Sequence, residues 1–141
     1  MAGLATVETN RSVSAYIENI DNASKQADSR TLVSLIEDVT GYKAKVWGNE
    51  KVPDFIIGFG NYKYKRKSGN EEFEWFNVGF APRKTKLTVY LTFDIAKEEA
   101  LLKKLGKCKW GKGCLYINKL ADVDLTYLKQ LIKKSKDAKW H

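Results

Sequence analysis

Between Phe55 and Phe93 the apolar residues of this chain fall on a period of two, and on either side they fall on a period near 3.6. The period-two stretch divides into Phe55–Arg66, Glu72–Ala81 and Leu87–Phe93, all rich in aromatic and β-branched residues. The links are short and made of turn-forming residues, Lys67-Ser68-Gly69-Asn70 and Pro82-Arg83-Lys84. Parallel neighbours need a crossover of about a dozen residues, so an antiparallel meander of three strands is expected. Leu87, Val89, Leu91 and Phe93 alternate with Thr88, Tyr90 and Thr92, which gives the last strand one core face. In the middle segment Phe73 and Trp75 should point one way and Phe76, Val78 and Phe80 the other. A strand apolar on both faces belongs in the centre of a sheet.

Helical spacing frames this block. Val13, Tyr16, Ile17 and Ile20 make a short amphipathic stripe with Ser12 as its N-cap. Leu32, Leu35, Ile36 and Val39 mark a helix from about Lys25 to Thr40, and Gly41 supplies its left-handed end. Asp94 is the N-cap candidate of a third helix bearing Leu101, Leu102 and Leu105 and ending at Gly106. Cys114–Asn118 reads as a further strand, and Lys43–Trp47 as an additional short one. Asp124 then caps a helix bearing Leu125, Leu128, Leu131 and Ile132, with Val123 and Leu128 spaced as a hydrophobic staple. The expected class is α+β, in the order ααβββαβα, with helices packed on a mainly antiparallel sheet. One domain should span Ser12 to Ser135, with flexible ends at residues 1–11 and 136–141.

With 141 residues, 43% of them hydrophobic, the chain suits one core; a domain of about 150 residues buries roughly 70% of its unfolded surface. No metal or disulfide is needed to hold it. Met1–Asn10 lacks the basic start and apolar run of a signal peptide, and nothing approaches the roughly 20 apolar residues of a membrane span. The expected location is therefore cytoplasmic, with no membrane partner and with Cys108 and Cys114 as reduced thiols.

Those folding blocks carry a resemblance. The chain is similar to the YdhG-like family, also named domain-of-unknown-function family 1801, from about Ser12 to Ser135. The similarity rests on Trp47-Gly48, Ile57-Gly58-Phe59-Gly60-Asn61-Tyr62, Gly79-Phe80-Ala81-Pro82-Arg83-Lys84 and Leu87-Thr88-Val89-Tyr90. Later blocks are Leu105-Gly106-Lys107, Gly111-Lys112-Gly113-Cys114-Leu115-Tyr116-Ile117 and Leu120-Ala121-Asp122-Val123-Asp124-Leu125. The resemblance implies a compact fold distantly like frataxin and no assigned activity. One relative's proposed role as an iron chaperone gives an alternative function by analogy.

Catalysis has little to stand on. The sole histidine is His141, the final residue, so Ser-His-Asp and Cys-His arrangements cannot be assembled within one chain. Cys108 and Cys114 have neither redox nor zinc spacing; Lys107, Lys109 and Lys112 around Cys108 would lower its pKa and make it reactive, the alternative being an incidental reduced thiol. Gly106–Gly113 matches the glycine and lysine positions of a phosphate-binding loop, but Gly113 replaces the magnesium-holding Ser or Thr. Its expected context, helix before and strand after, is also reversed. No cofactor is implied. Acidic residues Glu18, Asp21, Asp28, Glu37 and Asp38 are scattered, and Glu71, Glu72 and Glu74 sit at a hairpin where charges guard an edge. No metal site is expected.

The charge is more informative. Residues 1–60 carry 6 basic and 8 acidic groups, residues 61–106 carry 10 and 6, and residues 107–141 carry 9 and 3. The excess in the later part points to an anionic partner or merely to a lysine-rich soluble surface. Arg83, Lys84, Lys107, Lys109 and Lys112 are the candidate anion-binding residues, expected to converge if the two loops enter their strands at one sheet end. Trp47, Tyr62, Tyr90, Trp110 and Tyr116 are the candidate aromatic lining, since cations with rings suit phosphate plus base. Tyr62-Lys63-Tyr64-Lys65-Arg66 should turn its rings inward and its charges outward. The leading function is a non-enzymatic binding domain for an anionic small molecule or nucleic acid. Iron binding and a protein-interaction module are the alternatives.

Overall fold

The computed structural model describes residues 6–65, 69 and 72–138. Its strands are β1 (Val7–Glu8), β2 (Ala44–Gly48), β3 (Ile56–Phe59), β4 (Tyr62–Lys65), β5 (Glu72–Trp75), β6 (Val78–Pro82), β7 (Leu87–Leu91), β8 (Lys109–Trp110) and β9 (Cys114–Ile117). The helices are α1 (Val13–Glu18) and α2 (Ala23–Thr40) before β2, α3 (Glu99–Leu105) after β7, and α4 (Leu125–Lys136) at the end. Seven strands form one sheet in the order β1-β2-β3-β6-β7-β9-β8, and every pairing in it is antiparallel.

Local chemistry explains the helix ends. The Ser12 hydroxyl accepts from Ala15 N–H, the Asn22 side chain from Lys25 N–H, and the Asp124 carboxylate from Thr126 N–H. Gly41 closes α2 at φ 75°, the left-handed region. Asp94 caps a 3-10 turn over Ile95–Glu98 rather than α3 itself. The helices share one core with the sheet: Ile17, Leu32, Ile36, Leu102, Leu105, Leu128, Leu131 and Ile132 pack against Ile57, Phe59, Val78, Phe80, Val89, Leu115 and Ile117.

The meander holds as β3, β6 and β7, with β6 fourth of the seven strands. The element order is longer than expected, however, because the first two long segments each divide. Phe59 pairs with Val78 and Tyr62 with Trp75, so one hairpin register runs through the break and no residue is inserted. Gly60, at φ 81°, makes the bend, and a Cβ there would come within 2.4 Å of Asn77 Oδ1. The outer half becomes the separate pair β4–β5 and reaches β1.

That bend overturns the alternation expected of the middle segment. Phe76 stacks on Trp75, with centroids 4.2 Å apart, and joins Trp47, Ile56 and Ala81 on the sheet's second face. Asn77 turns the other way, donating from Nδ2 to the Ala138 carbonyl and accepting at its own carbonyl from Thr92 and Ser135. The N-terminal expectation also changes: Val7–Glu8 pairs with β2, and Thr9 donates twice to the Val46 carbonyl. At the other end α4 runs through Lys136. The rings of Tyr62-Lys63-Tyr64-Lys65 lie inward and the lysines outward, as expected. Arg66, most of the 67–70 turn, Glu71 and His141 lie outside the described residues.

The second face depends on two glycines. Gly58 and Gly79 are opposite each other. A Cβ on Gly58 would meet the Trp47 indole at 2.6 Å, and one on Gly79 would meet Phe76 at 2.6 Å. Gly58→Ala should therefore destabilise the protein by about 1–3 kcal/mol through overpacking. Gly111→Ala, whose new atom would find only open space and Tyr116 Oη at 3.9 Å, should be near neutral. Urea unfolding of the two variants measures the contrast.

The β8–β9 register also fixes the thiols. Cys108 packs against the helix-side core, while Cys114 lies opposite Tyr90 on the second face. Side chains on opposite faces do not meet disulfide geometry. Thiol titration of denatured, unreduced protein should count two free cysteines per chain, and a count of zero would contradict this register.

Candidate functional site

The five basic residues do not gather at one point. β7 and β9 are antiparallel, with Leu87 opposite Ile117 and Tyr90 opposite Cys114. Arg83 and Lys84 precede Leu87, at one end of this pair. Lys112 precedes Cys114 at the other end, where its carbonyl accepts from Ile95 N–H. Lys109 lies on edge strand β8, and Lys107 N–H donates to the Asp122 carbonyl beyond it. The expected convergence fails because the two loops enter their strands from opposite ends. Gly106–Gly113 does stand between α3 and β9, the wrong context for a phosphate-binding loop.

The aromatic set also divides. Trp47 is fully buried, edge-on to Phe76 at 5.4 Å, and its indole N–H has no hydrogen-bond partner. Tyr62 is buried as well. Neither offers a ring face to a ligand. Trp110 and Tyr116 are exposed at the β8–β9 hairpin. Tyr90 is half-buried, and its hydroxyl accepts from Arg83 Nη2 at 3.0 Å.

Arg83 and Lys84 do open onto a cleft of about 610 Å³, within the usual range for small-ligand sites. Its other walls are Tyr16, Asn19 and Ile20 from α1 and its exit, Asp21, Asn22 and Lys25 at the start of α2, and Asp54. Each wall has a local cause. The Asn22 cap sets α2 so that its N-terminal end, with its partial positive charge, borders the cleft. The β6–β7 turn closes with Arg83 N–H donating to the Lys86 carbonyl at 2.8 Å. Lys25 Nζ crosses to the Lys84 carbonyl at 3.0 Å, tying helix to turn.

Its electrostatics are unbalanced. Asp54 is engaged by Arg11, so that carboxylate is spoken for. Arg83 has a different kind of support, lying 4.3 Å above the Phe55 ring and bonded to the Tyr90 hydroxyl. Among the described residues no carboxylate lies within ion-pair distance of Lys25, Arg83 or Lys84. Tyr16 donates its phenolic proton to the Phe55 carbonyl at 3.1 Å, and burial pushes its pKa up to about 12, against the opposing pull of the Arg83 charge. The cleft thus presents three cations, amides and a neutral phenol, along with the Asp21 carboxylate and the Arg11-paired Asp54. At the other loop, burial pushes the Cys108 thiol up, which removes the activation expected from its lysine neighbours.

No protein-family model, curated protein or solved structure matches the chain. The cleft is therefore read from its own residues. Sequence reasoning found Arg83 and Lys84 and missed Tyr16, Asn19, Asn22, Lys25 and Asp54 as their neighbours. The Asn22 cap was not read from the sequence, and a cap does not say which turn its helix end will face.

Tyr16 supplies a pH test. Its folded pKa is raised above the unfolded value of about 10, so the unfolded chain loses the proton first. Stability from this group is complete below about pH 10 and is lost as pH rises toward 12. Tyr16→Phe should cost about 1 kcal/mol near neutrality through the lost hydrogen bond. The difference between wild type and variant should shrink between pH 10 and 12, as followed by urea unfolding at each pH.

Proposed function

We propose that this chain is a YdhG-like binding domain whose cleft between the α1–α2 connection and the β6–β7 turn takes a small phosphate-bearing anion. The observation that carries the reading is the position of Arg83. Its guanidinium is held by a ring and a hydroxyl instead of a carboxylate, which keeps its charge in place and available. An arginine fixed in this way loses little side-chain entropy when it forms a fork to an anion. Lys25, whose ammonium is held by the Lys84 carbonyl, and Lys84 add charges on either side, and the α2 N-terminus adds backbone dipole of the same sign. Asn19 and Asn22 contribute donors and acceptors for orientation.

The iron-chaperone alternative would need oxygen ligands brought together. Among the described residues no group of three or more His, Cys, Asp or Glu could hold a metal ion. Glu72 instead reaches Lys63 across the β4–β5 pair at 3.8 Å, and Glu74 accepts from Asn61. Charge at that hairpin serves the strand edge.

The test is calorimetric titration at low salt with pyrophosphate and with ATP. Wild type should bind, and Lys25→Ala/Lys84→Ala should bind at least tenfold more weakly, since each charge-assisted contact contributes about 1.5–3 kcal/mol. Arg83→Ala should lose more. Equal affinity in all three proteins would remove the cleft from consideration.

A further inference from the structure

A carboxylate in the wall of an anion cleft competes with the anion for its cations, and Asp21 and Asp54 both line this one. Asp54 is the closer rival along the chain. It immediately precedes Phe55, whose ring centroid lies 4.3 Å from the Arg83 guanidinium, and adjacent Cα atoms are only about 3.8 Å apart. The Phe55 backbone is fixed on both sides, its N–H donating to the Trp47 carbonyl at 3.0 Å and its carbonyl accepting from Tyr16 at 3.1 Å. Asp54 is therefore anchored beside the platform on which the arginine rests. Tyr16 registers both charges: burial raises its pKa most, the Arg83 charge opposes the rise and the Asp54 charge adds to it. Yet among the described residues no carboxylate, Asp54 included, makes an ion pair with Arg83.

Arg11 is what occupies Asp54. Its Nε donates to Oδ1 and its Nη2 to Oδ2, the second at 3.3 Å, so both oxygens are taken by one fork. Local structure aims that fork. Thr9 donates to the Val46 carbonyl from its N–H at 2.9 Å and from its hydroxyl at 2.7 Å. The same hydroxyl oxygen accepts from Arg11 N–H at 3.2 Å, and Ser12 caps α1 directly after. Arg11 is thus held between the β1–β2 pairing and the start of α1. The ion pair is open to water, with the Arg11 side chain 53% and the Asp54 side chain 32% exposed, and a pair of that kind contributes little to stability. Its consequence lies in where it keeps a negative charge.

We propose that Arg11 is a positioning residue for the anion cleft: by taking both Asp54 oxygens it keeps that carboxylate off Arg83 and leaves the guanidinium open to a phosphate. This role rests on the cleft's being a phosphate site, and it gives Arg11 no contact with the ligand. Without Arg11, Asp54 is an unpaired carboxylate one residue from the ring beneath Arg83, and an arginine fork matches carboxylate geometry as well as phosphate. The internal carboxylate then competes for the donors the ligand needs and repels any anion that enters. Neutralising Asp54 removes both effects. Loss of Arg11 is therefore repaired by a second substitution that restores none of the contacts Arg11 made.

Calorimetric titration with pyrophosphate at low salt tests this. Arg11→Ala should bind about tenfold more weakly than wild type, and Arg11→Ala/Asp54→Asn should return to within about threefold, the order expected of one unneutralised carboxylate beside a multiply charged anion. A purely structural role for Arg11 would not be repaired in this way, because the double variant lacks the same ion pair. Side-chain NMR reads the rearrangement without ligand. The Arg83 Nε–H signal, assigned by its disappearance in Arg83→Ala, should shift in Arg11→Ala and return in the double variant. The Arg11 side chain is exposed, so circular dichroism should show an unchanged fold. Wild-type affinity in Arg11→Ala, no recovery in the double variant, or an unmoved Arg83 signal would each overturn the proposal. Equal recovery with Asp21→Asn in place of Asp54→Asn would also overturn it, by reducing the effect to net charge. Absence of binding in wild type would overturn the phosphate reading of the cleft and this role with it, whereas wild-type binding without rescue would overturn the role alone.

Discussion

Everything on the second face of this sheet follows from the absence of two Cβ atoms. All four helices described pack on the first face, and none of them covers the second. Gly58 and Gly79 lie side by side on the two central strands, and the Trp47 and Phe76 rings descend into the space they leave. The apolar area buried by those rings offsets leaving the Trp47 N–H without a partner, because a large aromatic buries 150–250 Å² or so while one unpaired donor costs about 1–3 kcal/mol. With the rings seated, the bent outer hairpin can approach the β1 side.

Bending without insertion has a structural advantage. A one-residue slip would exchange every side chain between faces. Here the register continues through Gly60 and Asn77, so Tyr62 and Tyr64 remain inward on the outer pair. Only Phe76 and Asn77 trade places at the corner. The trade serves both residues. Phe76 reaches the glycine pair, and Asn77 enters a buried network in which its backbone carbonyl accepts from the Thr92 and Ser135 hydroxyls and Thr92 N–H donates to Ser135 Oγ, fastening α4 to the sheet. A polar network of this kind is favourable only when its members are partnered, and these are.

Period and caps made most of the elements legible. Ser12, Gly41 and Asp124 mark helix ends through hydrogen bonds made within a few residues, so local sequence contains their whole cause. The β3-β6-β7 meander was legible for a similar reason, since short turns leave no other arrangement. The break at Gly60 was not read from the sequence, although the apolar residues shift parity there, from Ile57 and Phe59 to Tyr62 and Tyr64 across Gly60-Asn61; the contact that fixes the bend lies across the hairpin in Asn77. The basic site failed on a nonlocal fact of the same kind. Whether Arg83 and Lys112 meet depends on β7 and β9 being antiparallel neighbours, which their intervening helix leaves undetermined. Lys25 was invisible as Arg83's companion, because 58 residues separate them and only the packing of α2 closes the distance.

Sheet order turns a charge gradient along the chain into one across the molecule. The strands formed after residue 77 occupy one contiguous half, and the chain after residue 77 carries more basic than acidic residues. Acidic groups of the first sixty residues lie mainly on α1, α2 and the loops near β2, and a few of them reach that half: Asp21 and Asp54 share the cleft with Arg83 and Lys84, and Asp28 accepts from Leu120 N–H. Concentrated like charge opposes compaction by self-repulsion, and the core beneath it must offset that cost. Most of these cations are lysines, whose flexible stems would lose entropy on being held by a ligand. Arg83 differs, because Phe55 and Tyr90 restrict it within the fold itself. Restriction before binding lowers the entropic cost of binding. Among cations that otherwise resemble a solubilising surface, that prior restraint is the physical feature that separates Arg83 from the rest.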